Sequence, residues 1–260
     1  MTGRLDRYGP WAVVAGASEG IGAAFATALA RAGLHLVLAA RRPEPLDALA
    51  GALRGAYPVD VRTVPADLAT PEGREALAAA GEGLDVGLLV VNAAYAPVGP
   101  FLDRDADDLA RVVELNCAAP LRLARHYLPA MVARGRGGLI LMSSLAGQQG
   151  SPGIATYAAS KAFGAVLAEG LWAELRGSGV DVLACAPGAV ETPGLAQAKA
   201  RRAPGTVAPD VVAAAALRAL GRGPRVVPGA LMKVSGALIP RLLPRRTAIS
   251  LIARASADLS

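Results

Sequence analysis

The sequence predicts an α/β fold: one doubly wound parallel sheet of about seven strands with helices on both faces. Three observations predict it. Short apolar runs alternate with segments of helical spacing along most of the chain, an order that joins parallel strands through crossover helices. The runs are apolar almost throughout, as strands buried on both faces must be. A glycine-rich turn, Gly16-Ala17-Ser18-Glu19-Gly20-Ile21-Gly22, joins the first run to the first helical segment.

The elements follow in order. Residues 11–16 (WAVVAG) form the first strand, and 21–32 continue with helical spacing. Residues 34–40 (LHLVLAA) are the second strand, and 43–55 a helix with Pro43 and Pro45 near its start, where proline is tolerated. A third strand over 59–65 leads into a short helix over 71–80. The fourth strand, 84–92 (LDVGLLVVN), is apolar almost throughout. Residues 105–134 make one long helix, with an interruption expected near Pro120. A fifth strand over 138–143, a helix over 156–176, a sixth strand over 180–186, a helix over 207–220 and a short strand over 225–228 complete the series. No internal repeat or low-complexity linker interrupts it. The expected organisation is a single domain over 1–260, with a substrate loop at 193–206 and a basic C-terminal extension at 229–260.

Composition excludes several classes. With 53% hydrophobic and 18% charged residues, the chain has ample core material and no disordered tract. Cys117 and Cys185 lie in apolar surroundings and are expected to be reduced, buried thiols of a cytoplasmic protein. The start, MTGRLDRYGPW, has no apolar stretch of a signal peptide, and no apolar run reaches the roughly 18 residues of a spanning helix. The net charge of +6 is uneven: residues 201–260 hold 10 Lys+Arg and 2 acids, against 17 and 19 in residues 1–200. No nucleic-acid motif accompanies this basic tail, so nucleic acid is not expected as a partner. No residue is assigned to a metal.

The motifs sit just after the strands, at the end where parallel sheets bind ligands. Gly16, Gly20 and Gly22 let the turn close tightly, so that Ser18, Ile21 and the helix N-terminus can approach a pyrophosphate. The spacing G-x-x-x-G-x-G is a moderate signal alone, and a plain glycine turn is the bland alternative. The second strand runs into Arg41-Arg42. An acid there would bind the ribose hydroxyls of NAD, whereas guanidinium groups attract a 2′-phosphate and favour NADP, Arg41 ahead of Arg42; the alternative is a solvated pair. Asp67, beside Leu68 after the third strand, either accepts from an adenine amino group or caps the next helix, or does both. Asn92-Ala93-Ala94 leave room for a cofactor at the end of the fourth strand, and Asn92 can also tie neighbouring strands together.

Ser143-Ser144 follow the fifth strand, and Tyr157-Ala158-Ala159-Ser160-Lys161 open the next helix. Residues four apart share a helix face, so Tyr157 and Lys161 point to one place. A nearby ammonium stabilises phenolate and makes a tyrosine usable as a general acid or base. Two such residues alone are an ordinary surface pair. Lys161, however, is one of only 3 lysines beside 24 arginines, and arginine cannot titrate in a compact site as lysine can.

Together these residues resemble the short-chain dehydrogenase/reductase family over roughly residues 10 to 195. AGASEGIG is similar to the family's T-G-x-x-x-G-x-G, with Ala15 for the usual Thr. Asn92-Ala93-Ala94-Tyr95 matches N-N-A-G, with Val91 and Tyr95 as departures. Tyr157 and Lys161 match Y-x-x-x-K, Ser144 stands 13 residues before the Tyr as the family's catalytic Ser does, and Asn116 matches its catalytic Asn. Pro187-Gly188-Ala189-Val190-Glu191-Thr192 matches the segment over nicotinamide. The resemblance implies a Rossmann-type fold, NADP(H) as cofactor, and hydride exchange with a carbonyl or secondary alcohol, the reductive direction favoured. It implies that Tyr157 moves the proton, Ser144 bonds the reacting oxygen, Lys161 binds the ribose and lowers the Tyr157 pKa, and Asn116 holds a relay water. Pro187, Gly188, Val190 and Thr192 would hold the carboxamide side. It also implies a homodimer or homotetramer packed through the helices of 105–134 and 156–176.

Substrate contacts are expected from 145–156, 95–102 and 194–206. They include Tyr95, Leu145, Gln148 and Gln149, the last two either bonding a polar group or facing water. Arg201 and Arg202 either attract an acidic substrate or are solvated. The sequence selects no particular small molecule. A non-redox enzyme that uses Tyr157 for elimination, isomerisation or cyclisation is the alternative. The tail is expected to form extra helices with solvated arginines; a lid, a partner surface and contact with a membrane surface are the less favoured readings.

Overall fold

The computed structural model describes residues 5–191, 205–229, 232 and 244–256. Its strands are β1 (Trp11–Ala15), β2 (His35–Ala40), β3 (Val61–Pro65), β4 (Val86–Val91), β5 (Gly137–Met142), β6 (Val180–Cys185) and β7 (Arg225–Val226). All pair in parallel, in the order β3-β2-β1-β4-β5-β6-β7. This is the doubly wound Rossmann-type sheet that the alternating pattern predicts. The helices are α1 (Gly20–Arg31), α2 (Pro43–Ala56), α3 (Pro71–Ala80), α4 (Ala106–Val113), α5 (Ala119–Ala133), α6 (Ala155–Glu174), α7 (Pro209–Ala219) and α8 (Arg245–Ser256).

Side-chain alternation along each strand makes two cores from one sheet. Val14, Leu36, Leu38, Leu88 and Ile140 pack with Phe25 and Leu29 of α1, Leu46 of α2 and Leu217 of α7. Val13, Val37, Leu89, Leu139 and Val182 face the other way, onto Leu77 of α3, Leu123 and Met131 of α5 and Ala168 of α6. Each fully buried leucine contributes roughly 1.5–3 kcal/mol, so burial on both faces explains why the strands lack a polar stripe. The order places β1 between β2 and β4, and the crevice at their carboxyl ends is the switch point where such sheets bind ligands.

Local chemistry sets the expected break near Pro120 and shifts the start of α7. The long helix is two helices, α4 and α5, joined by a π turn over Glu114–Ala118, in which the Ala119 N–H reaches back to the Glu114 carbonyl. Pro120, without an N–H, gives the Asn116 carbonyl four residues earlier no helical donor. Residue 207 belongs to a strand-like bridge with Val190, not to α7. Ala208 precedes a proline and is extended, so α7 starts at Pro209. Cys185 is buried as expected, but Cys117 is only partly so. In the tail, α8 starts directly after Pro244, with Ala248 buried and Arg245 and Arg246 exposed.

Candidate active site

The glycine turn closes against the end of β4. Gly16 has φ +86°, and a Cβ there would lie 2.5 Å from the Ala93 nitrogen. A Cβ on Gly22 would lie 1.9 Å from the Gly16 carbonyl oxygen and 2.8 Å from Asn92 Nδ2, so no side chain fits at either position. Gly20 also has positive φ, +58°. Asn92 Nδ2 donates to the Gly16 carbonyl at 2.7 Å, tying the end of β4 to the turn. No side chain caps the N-terminus of α1, so its first N–H groups and the neighbouring Ser18 and Ile21 border a cradle that fits a pyrophosphate. Ala93 is half-buried and Ala94 exposed beside it.

At the end of β2, Arg42 pairs with Glu19 of the glycine turn at 2.8 Å. Both side chains are largely exposed, so the pair is weak and leaves Arg42 able to turn to a phosphate beside Arg41. Arg41 is exposed and forms no ion pair among the described residues. Next to it, Asp67 accepts from the Ala69 N–H at 3.1 Å and from Arg111 Nη2 at 2.5 Å. Burial works to raise the Asp67 pKa, but the Arg111 and Ala69 hydrogen bonds and the charges of Arg111 and Arg41 outweigh it and hold the carboxyl below its usual range. Asp67 does not cap α3. Thr70 does, accepting from the Gly73 N–H at 3.1 Å, because the Asp67 carboxylate is turned toward α4. The Leu68 side chain belongs to the core under α5.

The candidate proton-transfer residues, Ser144, Tyr157 and Lys161, meet where β5 ends and α6 begins. Ser144 follows β5, and its Oγ accepts from the Ala146 N–H at 3.2 Å. The Ser144 side chain lies close enough to the Tyr157 hydroxyl to work toward lowering its pKa. Tyr157 as a whole is half-buried, but its hydroxyl lies deep enough that burial raises its pKa, against a smaller lowering by Ser144. Lys161 is buried, and its Nζ donates to the Met142 carbonyl at 2.9 Å, 5.5 Å from the centre of the Tyr157 ring. Burial lowers the Lys161 pKa to about 8. The expected lowering of the Tyr157 pKa by Lys161 is thus not found: desolvation dominates both groups, and the ammonium is aimed at a backbone carbonyl. Ser143 donates to the Lys161 carbonyl at 2.7 Å, and a Cβ on Gly147 would lie 2.6 Å from the Ala162 nitrogen. The turn after β5 is therefore fitted directly onto α6.

Asn116 is brought to the same place by the π turn. Its Oδ1 accepts from the Tyr95 N–H at 2.8 Å, and its Nδ2 donates to the Tyr95 carbonyl at 2.9 Å and to Ser160 Oγ at 3.0 Å. Ser160 Oγ donates in turn to the Tyr157 carbonyl at 2.7 Å. Sequence reasoning gave Ser143 and Ser160 no role, although Ser160 shares a helix turn with Tyr157 and Lys161. Residues 10–203 match the short chain dehydrogenase family. The chain belongs to this family.

Its relatives agree. The 7beta-hydroxysteroid dehydrogenase of Collinsella aerofaciens is 35% identical over 190 residues, 73% of this chain and 72% of that one. A solved structure concerned with 7beta-hydroxysteroid dehydrogenase stereoselectivity superposes with a TM-score of 0.90 at 30% identity, covering 95% of this chain and 98% of the other. A short-chain dehydrogenase from Sphingobium yanoikuyae in complex with NADPH gives a TM-score of 0.78 at 32% identity, over 95% and 94%. As a short-chain dehydrogenase the protein is an oxidoreductase of alcohol and carbonyl groups. The non-redox alternative has no support in these relatives, which are dehydrogenases by name.

Around the short-chain dehydrogenase core, the substrate side is partly visible. A recess beside Tyr157 is lined by Pro97, Phe101, Leu109, Ile154 and Thr156, with Arg104 held by Asp108 at its edge. Tyr95 does not present its hydroxyl here as a free group: it donates to Asp108 at 2.5 Å, while the ring packs on the core under α5. Leu145 and Gln148 are half-buried, and Gln149 is buried, so it does not face water. The Leu145 N–H donates to the Pro187 carbonyl at 3.0 Å, and the Glu191 N–H to the Val207 carbonyl at 3.0 Å. These bonds hold Pro187, Gly188 and Val190 beside the catalytic turn. A Cβ on Gly188 would lie 2.7 Å from Met232 Sδ and 3.5 Å from Leu145 Cδ1, so one residue of the tail reaches the site. Thr192, Arg201, Arg202 and all of the substrate loop at 193–206 except residues 205 and 206 lie outside the described residues. No described helix is long and apolar enough to cross a membrane.

Proposed function

We propose that the protein reduces the ketone of a bulky, alicyclic compound of the hydroxysteroid class, and oxidises the matching secondary alcohol, with NADP(H) as cofactor. The observation that carries this reading is the largely apolar recess that Tyr157 helps to line, with Ser144 and Lys161 beside the tyrosine. Likeness to 7beta-hydroxysteroid dehydrogenase along nearly the whole chain supports the substrate class.

When bound, the nicotinamide supplies the hydride. Tyr157 gives its hydroxyl proton to the carbonyl oxygen, and Ser144 donates a hydrogen bond to that oxygen as charge builds on it. Lys161 binds the nicotinamide ribose, and the Asn116 carbonyl, to which Pro120 offers no N–H, accepts from the water that returns a proton toward Lys161. Gly16, Ser18, Gly20, Ile21 and Gly22 take the pyrophosphate, Arg41 the 2′-phosphate, and Asp67 the adenine amino group. Pro187, Gly188, Val190 and Thr192 border the nicotinamide, and Leu145, Gln148 and Gln149 the substrate.

Stoichiometric NADPH oxidation with a panel of ketosteroids is the expected result. Consumption only with small acyclic ketones removes the substrate class, and product without any change in the nicotinamide removes the redox reading. Arg41→Ala should weaken NADPH binding by about 10- to 100-fold, the range of one charge-assisted phosphate contact, and leave NADH binding within about twofold. Equal losses measured by calorimetry would show that Arg41 does not read the phosphate.

Members of this family commonly form oligomers. Val113, Leu121, Phe163 and Val166 are large apolar side chains exposed on or beside α4, α5 and α6, the helices through which we place a homodimer or homotetramer. Light scattering should give the mass of two or four chains, and a monomer would contradict the assignment. The cytoplasm is the proposed compartment.

A further inference from the structure

The segment after β3 is held from two sides by ion pairs of opposite polarity. Arg111 of α4 donates to Asp67 at 2.5 Å. Arg74 of α3 donates to Glu114 at 3.1 Å, and the same nitrogen reaches the carbonyls of Leu68 and Ala69 at 3.2 and 3.1 Å. Arg74 is only 7% exposed, so it acts as an internal strut under the loop backbone. Thr70 Oγ1 donates to the Asp67 carbonyl at 3.1 Å. A Cβ on Gly73 would lie 2.0 Å from that carbonyl oxygen, so α3 is packed against it. The backbone of the loop is therefore fixed without any help from Arg111. The Asp67 carboxylate is different. Its Oδ1 is placed by the Ala69 N–H, and among the described residues Arg111 is the one side chain bonded to Oδ2.

We propose that Arg111 is a positioning residue for the cofactor: it locks the Asp67 carboxylate in the rotamer that accepts the adenine 6-amino group, and does so without touching the cofactor. The chemistry is consistent. A carboxylate offers about four lone-pair directions. The Ala69 N–H and Arg111 occupy two of them, and others remain for the amino group. Without Arg111 the carboxylate turns about its own χ angles, and each adenine must order it again. Arg111 and Glu114, three residues apart on one helix face, also place this lock one turn before Asn116, so the adenine loop and the Asn116 turn share a support. The inference rests on the reading of Asp67 as the adenine acceptor.

The test is calorimetric binding of NADPH and of its hypoxanthine analogue, which carries an oxygen in place of the 6-amino group; no turnover is needed. The parent protein should bind NADPH about tenfold more tightly, the scale of one hydrogen bond to a charged acceptor. Arg111→Met should bring the ratio to within about twofold, with the loss falling on NADPH, and Arg111→Lys should restore most of it. In an Asp67→Ala background, Arg111→Met should change neither affinity by more than about twofold. Equal weakening of both cofactors by Arg111→Met, or an unchanged ratio, overturns the proposal. So does a further large loss in the Asp67→Ala background, which would mean that Arg111 acts on the cofactor directly. A parent that does not distinguish the two cofactors removes the Asp67 assignment and the proposal together, while the redox reading, tested by turnover, stands apart from all of these.

Discussion

Tyr157→Phe should lower kcat by about 10³-fold, inside the range expected when a positioned general acid is removed. NADPH affinity should change by less than about twofold. The substitution takes away one oxygen and leaves the ring, its packing on α6 and the Ser160 hydrogen bond to the Tyr157 carbonyl in place. The deficit should therefore appear in the chemical step and not in assembly of the site. Single-turnover measurement with a deuterated cofactor checks this. Loss of kcat by less than tenfold would mean that another group delivers the proton. Ser144→Ala should fall in the same direction by about 10²-fold, since Ser144 bonds the oxygen but does not supply the transferred proton. A Tyr157 pKa raised by burial also means that the tyrosine enters the reaction with its proton on, which suits carbonyl reduction.

Lys161→Met should separate function from stability. Activity should drop by at least about 10²-fold, because the ribose contact and the proton relay both lose their ammonium. Stability at pH 7 should nonetheless rise. The Lys161 pKa falls from 10.5 to about 8 on folding, by burial. Below about 8 both folded and unfolded chains carry the proton, and the full cost of burying the charge is present. Between about 8 and 10.5 the unfolded chain still holds the proton that the folded chain has released, so the stability of the parent increases with pH across that window. The shift corresponds to roughly 3 kcal/mol, from which about 1 kcal/mol is lost because the Met142 carbonyl gives up its donor. The variant should thus melt a few degrees above the parent at pH 7, with the difference shrinking above pH 8. Thermal melts across pH check the sign; a variant less stable than the parent at pH 7 would show that the buried ammonium contributes net stability.

Most of the fold was legible because burial on both faces leaves a strand no choice of composition. The runs around Val13, Leu38, Leu89 and Ile140 could be nothing else, and the glycine turn marked the carboxyl end of β1. The Tyr157–Lys161 spacing and Ser144 were legible for a similar reason: both depend on positions close in sequence or on a motif of fixed length. The corrections concern partners. The sequence leaves Asp67 as an adenine acceptor, a helix cap or both; Thr70 caps the helix, and Arg111, 44 positions away, pairs with the carboxylate. Arg42 also has a partner in Glu19 of the glycine turn, which the sequence pattern does not show. Tyr95 was placed in the pocket, yet Asp108 holds its hydroxyl.

By itself the sequence determined the α/β layering, the family, and the candidates for proton transfer, because hydrophobic period, glycine geometry and helical spacing act over a few residues. Only the tertiary structure decided how those residues are charged and held. Lys161 turns to the Met142 carbonyl, Asn116 is set by a π turn against Tyr95, Arg74 and Arg111 brace the loop after β3, and Met232 closes on Gly188. Such contacts join segments tens of residues apart, and desolvation depends on the whole surrounding volume. A local pattern contains neither quantity.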